Sequence, residues 1–432
     1  MNKLFFIFMT VIFLSPVGWT NSAYASRKPL RFTIDNTTFF KNLEYNDITE
    51  VAKGETITGN VVKPYFTYHF KKGLKAEVGA ILQFNFGDDR NLLERGDPLI
   101  SLHYDMIPGW RLTAGTLNRN HQLLDALFND NQTFTDPVEQ GFQIRAKTKH
   151  LTEDLWIDWE RRETATKREK FSIGNVTQFR KDGFMLDGQI LWNHFGGQKN
   201  TGGEVSNNFN IAFGGGMTFR PPGKTRGSRL IDRFGFKVHY IYTNDKPRSL
   251  TEAVEPDSKS SGVVAELFAV VGGTNVFLKT WNGSRTRGSD SGQTFVTTPF
   301  LDGIRSDKGD PLYRAEDFVQ IGLNKLWKIT DEVDIYAELE LTKVREQIVH
   351  VDTLSVRWRT NFPIWEKTAK ATKTVPAVIT QPHNGPSPSV RTQSVEDDML
   401  DPISTQEEPR VNRKSSPRKK HRQSYRRERL WD

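Results

Sequence analysis

The sequence predicts an all-β fold: an antiparallel transmembrane β-barrel of about 16 strands, followed by a disordered C-terminal tail. Three observations predict it. Apolar residues alternate with polar ones along many segments, as in strands that have one apolar face and one wet face. The lengths of the connections between these segments alternate between short and long along the chain. A signal for export precedes them, and the chain contains no cysteine, which excludes disulfides and thiol catalysis.

The chain begins with a segment that is typical of a cleaved signal peptide. Lys3 precedes an apolar run at residues 4–14, which is shorter than the roughly 20 residues that a membrane-spanning helix needs. Ala23 and Ala25 fit the small-x-small rule for cleavage. We therefore assign residues 1–25 to a signal peptide and expect the barrel to follow it, from residue 26 to residue 362.

Alternation identifies the strands and is clearest in residues 73–86. Val78 and Leu82 fall on one face of this segment, while Glu77 and Gln83 fall on the other. The predicted strands are 30–41, 55–70, 73–86, 97–106, 109–118, 139–148, 152–162, 168–180, 183–195, 204–220, 230–244, 261–271, 274–283, 311–328, 331–345 and 350–362.

The lengths of the connections alternate as well. Most connections after even-numbered strands are short, as at 71–72 and 107–108, and many after odd-numbered strands are long, as at 119–138 and 284–310. Outer-membrane barrels have short periplasmic turns and long outer loops. This pattern predicts a barrel in the bacterial outer membrane, and an even strand count places both of its ends in the periplasm.

The last two strands suggest how they pair. A turn near residues 348–349 would place Glu340 opposite Arg357 and Glu338 opposite Arg359 on the wet face. Opposite charges on neighbouring strands stabilise a pairing register. We therefore expect this register in the closing hairpin.

Charged residues on the wet faces are candidates to line a water-filled lumen. Barrels of 16–18 strands can enclose an aqueous channel, and mixed charges predict weak ion selectivity. The candidate lumen-lining residues are Lys75, Glu77, Arg145, Lys147, Asp158, Glu160, Glu338, Glu340, Arg357 and Arg359.

The connection at residues 119–138 is a candidate constriction loop. Leu123, Leu124, Leu127 and Phe128 have helical spacing and need an apolar surface to cover them. The loop could fold into the lumen and narrow it. It could equally pack on the barrel rim or on a partner subunit, and the spacing does not decide between these alternatives.

A resemblance to a known family is carried by five segments. They read TFFKNLEYN (38–46), FNFGDD (84–89), LDALFNDNQTFTDPVEQGFQI (124–144), DLWIDWE (154–160) and GDPLYR (309–314). These segments resemble a little-characterised family of porin-like outer-membrane β-barrels of Gram-negative bacteria. The resemblance spans about 30–362 and implies an outer-membrane barrel. It transfers no catalytic residue, and it does not extend to the tail.

One strand carries Ser101, His103 and Asp105 on its wet face, the three residue types of a hydrolase triad. Residues two apart on a strand lie about 6.6–6.8 Å from each other at the backbone, whereas a triad needs contacts of about 2.6–3.2 Å. Polarity of the lumen explains these residues better. We therefore expect no enzyme activity, no catalytic residue, no cofactor and no metal, and we keep a barrel hydrolase only as the last alternative.

The segment from residue 363 to residue 432 reads as a disordered basic tail in the periplasm. Residues 413–432 hold nine Lys or Arg and two acidic residues, which is most of the net charge of +8. Because the tail is expected in the periplasm, where nucleic acid is not available, nucleic acid is excluded as its partner. Peptidoglycan or an acidic periplasmic protein would suit the charge of the tail.

These features predict a channel for passive diffusion of small hydrophilic solutes, surrounded by outer-membrane lipid. The alternative is a structural or anchoring barrel whose lumen is blocked. The sequence does not indicate the oligomeric state.

Overall fold

Sixteen antiparallel strands form one closed barrel in the computed structural model of the protein. Each strand pairs with its neighbours in chain order, and the last strand pairs with the first. The prediction of an antiparallel barrel of about 16 strands is confirmed. The structure describes residues 30–45, 48, 51–87, 93–197, 205–221, 230–246, 258–287 and 303–365.

The strands are long enough to cross a membrane at a tilt, and two short helical segments lie in their connections. The helical segments are α1 (Gln132–Thr135) and a 3₁₀ turn (Pro311–Arg314). Among the described residues, no helix combines the length and the apolar character that crossing a membrane requires. The strands are β1 (Leu30–Glu44), β2 (Glu55–Lys71), β3 (Leu74–Asn85), β4 (Leu93–Ile107), β5 (Trp110–Asn118), β6 (Val138–Lys147), β7 (Leu151–Arg161), β8 (Glu169–Lys181), β9 (Phe184–Gly196), β10 (Ser206–Phe219), β11 (Ile231–Lys246), β12 (Ser258–Val271), β13 (Thr274–Arg287), β14 (Asp317–Lys328), β15 (Val333–Val344) and β16 (Gln347–Trp365).

The two faces of the barrel wall differ in polarity. Large apolar side chains point outward, and Ile100, Phe213 and Leu267 leave 59%, 63% and 59% of their surfaces uncovered. Inward positions carry buried polar side chains such as Thr67 and Gln189. An apolar outer surface of this extent is unfavourable in water but suits the hydrocarbon of a bilayer. The protein is an outer-membrane barrel of the Gram-negative type, as the sequence predicts.

Short and long connections lie on opposite rims, which confirms the predicted alternation. The connection at 220–230 is a long exception on the short-turn rim, and the turn at 345–346 is a short exception on the other. Gly183 adopts a φ of 87°, and a Cβ there would lie 2.4 Å from the Thr218 carbonyl oxygen, so this turn requires glycine. The tight turns of the short-turn rim include 72–73, 108–109, 182–183 and 272–273.

The predicted register of the closing hairpin is wrong. Glu340 lies opposite Val351, and Glu338 lies opposite Thr353. The chain turns earlier than expected, because Arg345 adopts a φ of 56° and β16 begins at Gln347. The pairing therefore shifts by an even number of residues. Such a shift keeps every side chain on its predicted face, so alternation alone could not detect it.

The barrel closes through β16 and β1. β16 continues to Trp365, past the expected end of the barrel at Phe362. Phe362 lies opposite Phe32 of β1, and their rings stack with centroids 6.3 Å apart. The predicted signal peptide and nearly all of the predicted basic tail lie outside the described residues, and both remain predictions.

A plug fills the outer half of the barrel. We use this name for residues 119–137, the first segment, and residues 303–316, the second segment. Leu127 of the first segment and Leu312 of the second belong to one buried apolar cluster with Trp281 of the wall. Sixteen strands enclose more space than wall side chains can fill. These two segments occupy that space.

Candidate functional site

His121 anchors the first plug segment to the barrel wall. Its Nδ1 lies 2.9 Å from Asp154 Oδ2 on β7, and its Nε2 lies 2.6 Å from Glu139 Oε2 on β6. The imidazole stacks on Trp156, with ring centroids 3.4 Å apart. Burial alone would lower the pKa of His121, but the two carboxylates raise it above its ordinary value. Both ring nitrogens therefore donate to carboxylates, and this histidine has no lone pair left to act as a base.

Arg119 fixes the start of the same segment. Its buried guanidinium donates to the Asp136 carboxylate at 2.8 Å and to the Val138 carbonyl oxygen at 3.1 Å. Asp158 of β7 lies 3.4 Å from the same nitrogen. Buried charges of this kind are tolerated because each has opposite charges or hydrogen-bond acceptors beside it. The cluster therefore holds the segment in one position.

The first plug segment crosses the lumen from one wall to another. Lys41 of β1 pairs with Asp130 at 2.7 Å, and Lys279 of β13 pairs with Asp125 at 3.2 Å. β1, β7 and β13 lie on different sides of the closed barrel. A segment that is bonded to all three strands spans the lumen, so it obstructs any direct path through the outer half.

The second plug segment is held by Lys308. Its Nζ lies 2.6 Å from Glu160 Oε1 on β7 and 2.9 Å from Ser172 Oγ on β8. The Lys308 carbonyl oxygen accepts a hydrogen bond from the Asn129 amide at 2.6 Å, which ties the two segments together. Lys308 thus ties the second plug segment to both β7 and β8. These contacts are structural.

Asp310 is a buried acid in the second plug segment. Its Oδ1 accepts a hydrogen bond from the Leu312 amide at 2.9 Å, which caps the 3₁₀ turn. Burial raises the pKa of Asp310 to about 7, and the neighbouring Asp125 and Asp130 carboxylates act in the same direction. The carboxyl group therefore changes charge near neutral pH.

The residues of the predicted constriction loop lie inside the barrel. Leu123, Leu127 and Phe128 are buried in the apolar cluster of the plug, and Leu124 packs against that cluster. The Leu124 amide also donates to Gln189 Oε1 of β9 at 2.7 Å. The chain does not pack on the outside of the rim at these positions, and the packing of these side chains places the loop across the lumen.

A cavity of about 290 Å³ lies between the plug and the short-turn rim. Glu338 borders a second cavity of about 190 Å³. Asp158 and Glu160 contact the plug, and Glu340 accepts a hydrogen bond from Gln320 at 3.2 Å. The predicted lining residues that border the larger cavity are Lys75, Glu77, Arg145, Lys147, Arg357 and Arg359.

Ser101, His103 and Asp105 do not form a catalytic triad. Ser101 Oγ donates to the Thr116 carbonyl oxygen at 2.5 Å. His103 contacts Thr113 of β5 at 3.1 Å. Asp105 does not contact His103, because its carboxylate accepts from Arg111 at 2.6 Å. Each side chain bonds across the sheet to another strand, as expected for residues two apart on one strand.

An outward-facing patch at the outer rim brings a histidine and an asparagine together. His194 Nδ1 of β9 lies 2.9 Å from Asn207 Oδ1 of β10, and Trp192 Nε1 donates to the same oxygen at 3.2 Å. Phe171 of β8 packs against His194, with centroids 4.8 Å apart, and Trp159 of β7 lies 5.4 Å from Phe171. We call these five residues the rim patch. Alternation places them all on the lipid face, but their contacts depend on the register between strands.

His194 differs from His121 because, among the residues that the structure describes, its Nε2 has no hydrogen-bond partner. Asn207 Oδ1 can only accept, so His194 Nδ1 donates to it and the Nε2 of the neutral ring keeps its lone pair. A histidine that is oriented through one nitrogen can accept a proton at the other. Within the described parts of the chain, no group of three or more His, Cys, Asp or Glu is arranged to hold a metal ion.

The sequence model of one protein family, described as lipid A 3'-O-deacylase-type, matches residues 21–367. No curated protein matches the chain. This match overturns the expectation that the protein is not an enzyme, because the family is an enzyme family. The resemblance to a little-characterised family of outer-membrane barrels is confirmed.

The solved structures that are similar to this chain include the following three. OmpTdeltaL8, a loop-deletion mutant of OmpT from Vibrio cholerae, has 9% identity and a TM-score of 0.45, covering 78% of this chain and 100% of its own. An anion-selective porin from Comamonas acidovorans has 11% identity and a TM-score of 0.42, covering 77% and 98%. OprD from Pseudomonas aeruginosa has 11% identity and a TM-score of 0.41, covering 78% and 94%. Similarity at this level concerns the barrel architecture alone.

Proposed function

This chain belongs to the lipid A 3'-O-deacylase-type family, and on that premise we propose that it is an outer-membrane esterase that removes an ester-linked acyl chain from lipid A. The family match over residues 21–367 carries the proposal. The plug supports it indirectly, because its two segments occupy the part of the lumen that a diffusion channel would use.

The rim patch is the proposed location of the chemistry. The ester bonds of a lipid lie where its polar headgroup meets its apolar chains. Aromatic residues of outer-membrane barrels lie at the same depth, in a girdle near each membrane interface. Trp159 and Trp192 lie near the outer ends of β7 and β9. Trp192 contacts His194 directly, and Trp159 contacts Phe171, which packs against His194. At this depth the Nε2 of His194 would meet an acyl ester of a lipid in the outer leaflet.

We assign His194 as the general base and Asn207 as the residue that orients it. His194 Nε2 removes a proton from a water molecule as the water oxygen bonds to the ester carbonyl carbon. The tetrahedral intermediate then expels the sugar oxygen, which takes up the proton from His194. The products are a free fatty acid and a sugar hydroxyl, so atoms and charge balance.

Mass spectrometry of lipid A tests the proposed activity. Folded, purified protein incubated with hexa-acylated lipid A should release one fatty acid, with the matching loss of mass from the lipid. His194→Gln should lower the rate about 100-fold or more, the usual contribution of a general base. His350→Gln is the matched control, because His350 is a half-exposed histidine near the same rim. Unchanged lipid A with the wild-type protein would refute the activity. Equal rates for the two variants would refute only the assignment of His194 and would leave the activity itself intact.

Passive diffusion of small hydrophilic solutes is the second candidate function. Two cavities, of about 290 and 190 Å³ and with charged linings, lie beneath the plug and favour it. Conductance of the purified protein in a planar bilayer distinguishes this function from a barrel with a blocked lumen. A steady ionic current would support diffusion, and its absence would support the blocked barrel.

A further inference from the structure

Three basic side chains surround one carboxylate where β16 closes the barrel on β1. Asp35 of β1 accepts two hydrogen bonds from Arg357, at 3.0 and 2.7 Å. Arg359 Nε lies 3.9 Å from the same carboxylate. Lys63 of β2 is the direct pairing partner of Asp35 on the other side. This seam cluster, which we define as Asp35, Lys63, Arg357 and Arg359, has two more positive charges than negative ones. Asp334 of β15, the pairing partner of Arg357, lowers the local excess to one positive charge.

The excess charge faces the larger cavity. All four residues of the seam cluster border it, together with Tyr65, whose hydroxyl accepts a hydrogen bond from Arg359 at 2.7 Å. The whole lining of this cavity contains nine Lys or Arg and four Asp or Glu. The smaller cavity contains four basic and five acidic residues. The positive charge is therefore local, and in a cavity with low-dielectric walls it attracts anions strongly.

The plug covers the outer side of the cavity, and the lining of the cavity extends to the short-turn rim. Plug residues Gln122, Thr133 and Phe134 form part of its lining, and Lys147, at the end of β6 next to the short-turn rim, forms another part. The short-turn rim faces the periplasm in barrels of this type. A ligand that enters at this rim would come from the aqueous periplasm.

We infer that the seam cluster binds a small soluble oxyanion of the phosphate class, taken from the periplasm. The excess of basic over acidic residues in the cavity lining favours an anion beside the cluster. Lys63 and Arg359 supply donors, since an ammonium and a guanidinium both bind phosphate oxygens well. Arg357 holds Asp35 in place with two hydrogen bonds, so we assign it a positioning role. This inference does not depend on the proposed esterase activity.

Isothermal titration of folded protein in detergent with inorganic phosphate tests the inference, at constant ionic strength. Saturable binding is expected, and it should exceed the binding of acetate. Lys63→Met and Arg359→Gln should each weaken phosphate binding about tenfold, because each removes a hydrogen bond to a charged group. Lys237→Gln is the control, because Lys237 borders the smaller cavity and pairs with Glu266. The affinity of the Lys237→Gln variant for phosphate should equal that of the wild-type protein.

Several outcomes would overturn the inference. These are the absence of saturable phosphate binding by the wild-type protein, equal affinity in the two seam variants, and equal affinity for acetate and phosphate. Competition by phosphatidic acid added to the micelles would assign the site to a lipid headgroup and would refute the soluble source. Heat-modifiable migration on a gel shows whether each variant is folded. If Lys63→Met does not fold, Lys63→Gln is measured in its place.

Discussion

At the residue scale, the protonation states of Asp310 and His121 should determine the stability of the plug in its position. Asp310 has a pKa of about 7 in the folded protein against an ordinary value of 3.8. Its contribution to stability is therefore fully present below pH 3.8 and is lost as the pH rises to about 7. The pKa of His121 is raised from 6.5, so its contribution is present below pH 6.5 and is lost as the pH rises through the higher value. Both groups weaken the plug as the pH increases.

Asp310→Asn isolates the contribution of the acid. An asparagine side chain can still accept the hydrogen bond from the Leu312 amide, but it does not titrate. Native-state hydrogen exchange, corrected for intrinsic rates, should show that protection of residues 303–316 in the wild-type protein falls between about pH 4 and pH 7. The variant should lose a smaller part of its protection over this range. An identical pH dependence in the two proteins would contradict the assignment.

At the scale of the element, the register of β15 and β16 can be tested by cross-linking in this cysteine-free chain. Residues that lie directly opposite each other on antiparallel strands have Cα atoms about 4.5–5.5 Å apart, which suits a disulfide. Glu338→Cys with Thr353→Cys should therefore form a disulfide under mild oxidation, detected by its gel mobility. Glu338→Cys with Arg359→Cys is the matched control and should stay reduced, because residue 359 lies about 20 Å along the strand from residue 353. The reverse result would restore the register expected from charge pairing.

The same pair of strands shows what the sequence can and cannot predict. Alternation predicted that Glu338 and Arg357 face inward, because the period of two is a property of each strand alone. It could not predict that Arg357 bonds Asp35, since that contact depends on barrel closure between strands at opposite ends of the sequence. Sequence patterns do not identify the anchors of the plug for a similar reason. His121 and Lys308 lie in loops without a period, and their partners on β7 lie in the barrel wall.

At the scale of the whole molecule, the fit between the two plug segments should decide whether ions can pass. Gly309 of the second segment lies against the first, and a Cβ at this position would be 2.1 Å from the Ala126 carbonyl oxygen. A methyl group cannot occupy that space, so Gly309→Ala must move the segments apart. We expect higher conductance in a planar bilayer for this variant than for the wild-type protein.

Gly188→Ala is the control for this experiment, because a Cβ at Gly188 would have no atom within 4 Å. Its conductance should equal that of the wild-type protein. If Gly309→Ala also leaves conductance unchanged while hydrogen exchange of residues 119–137 accelerates, the segments separate without opening a path. That result would show that the first segment, bonded to β1, β7 and β13, is sufficient to seal the barrel. Unchanged conductance together with unchanged exchange would contradict the tight contact between Gly309 and Ala126.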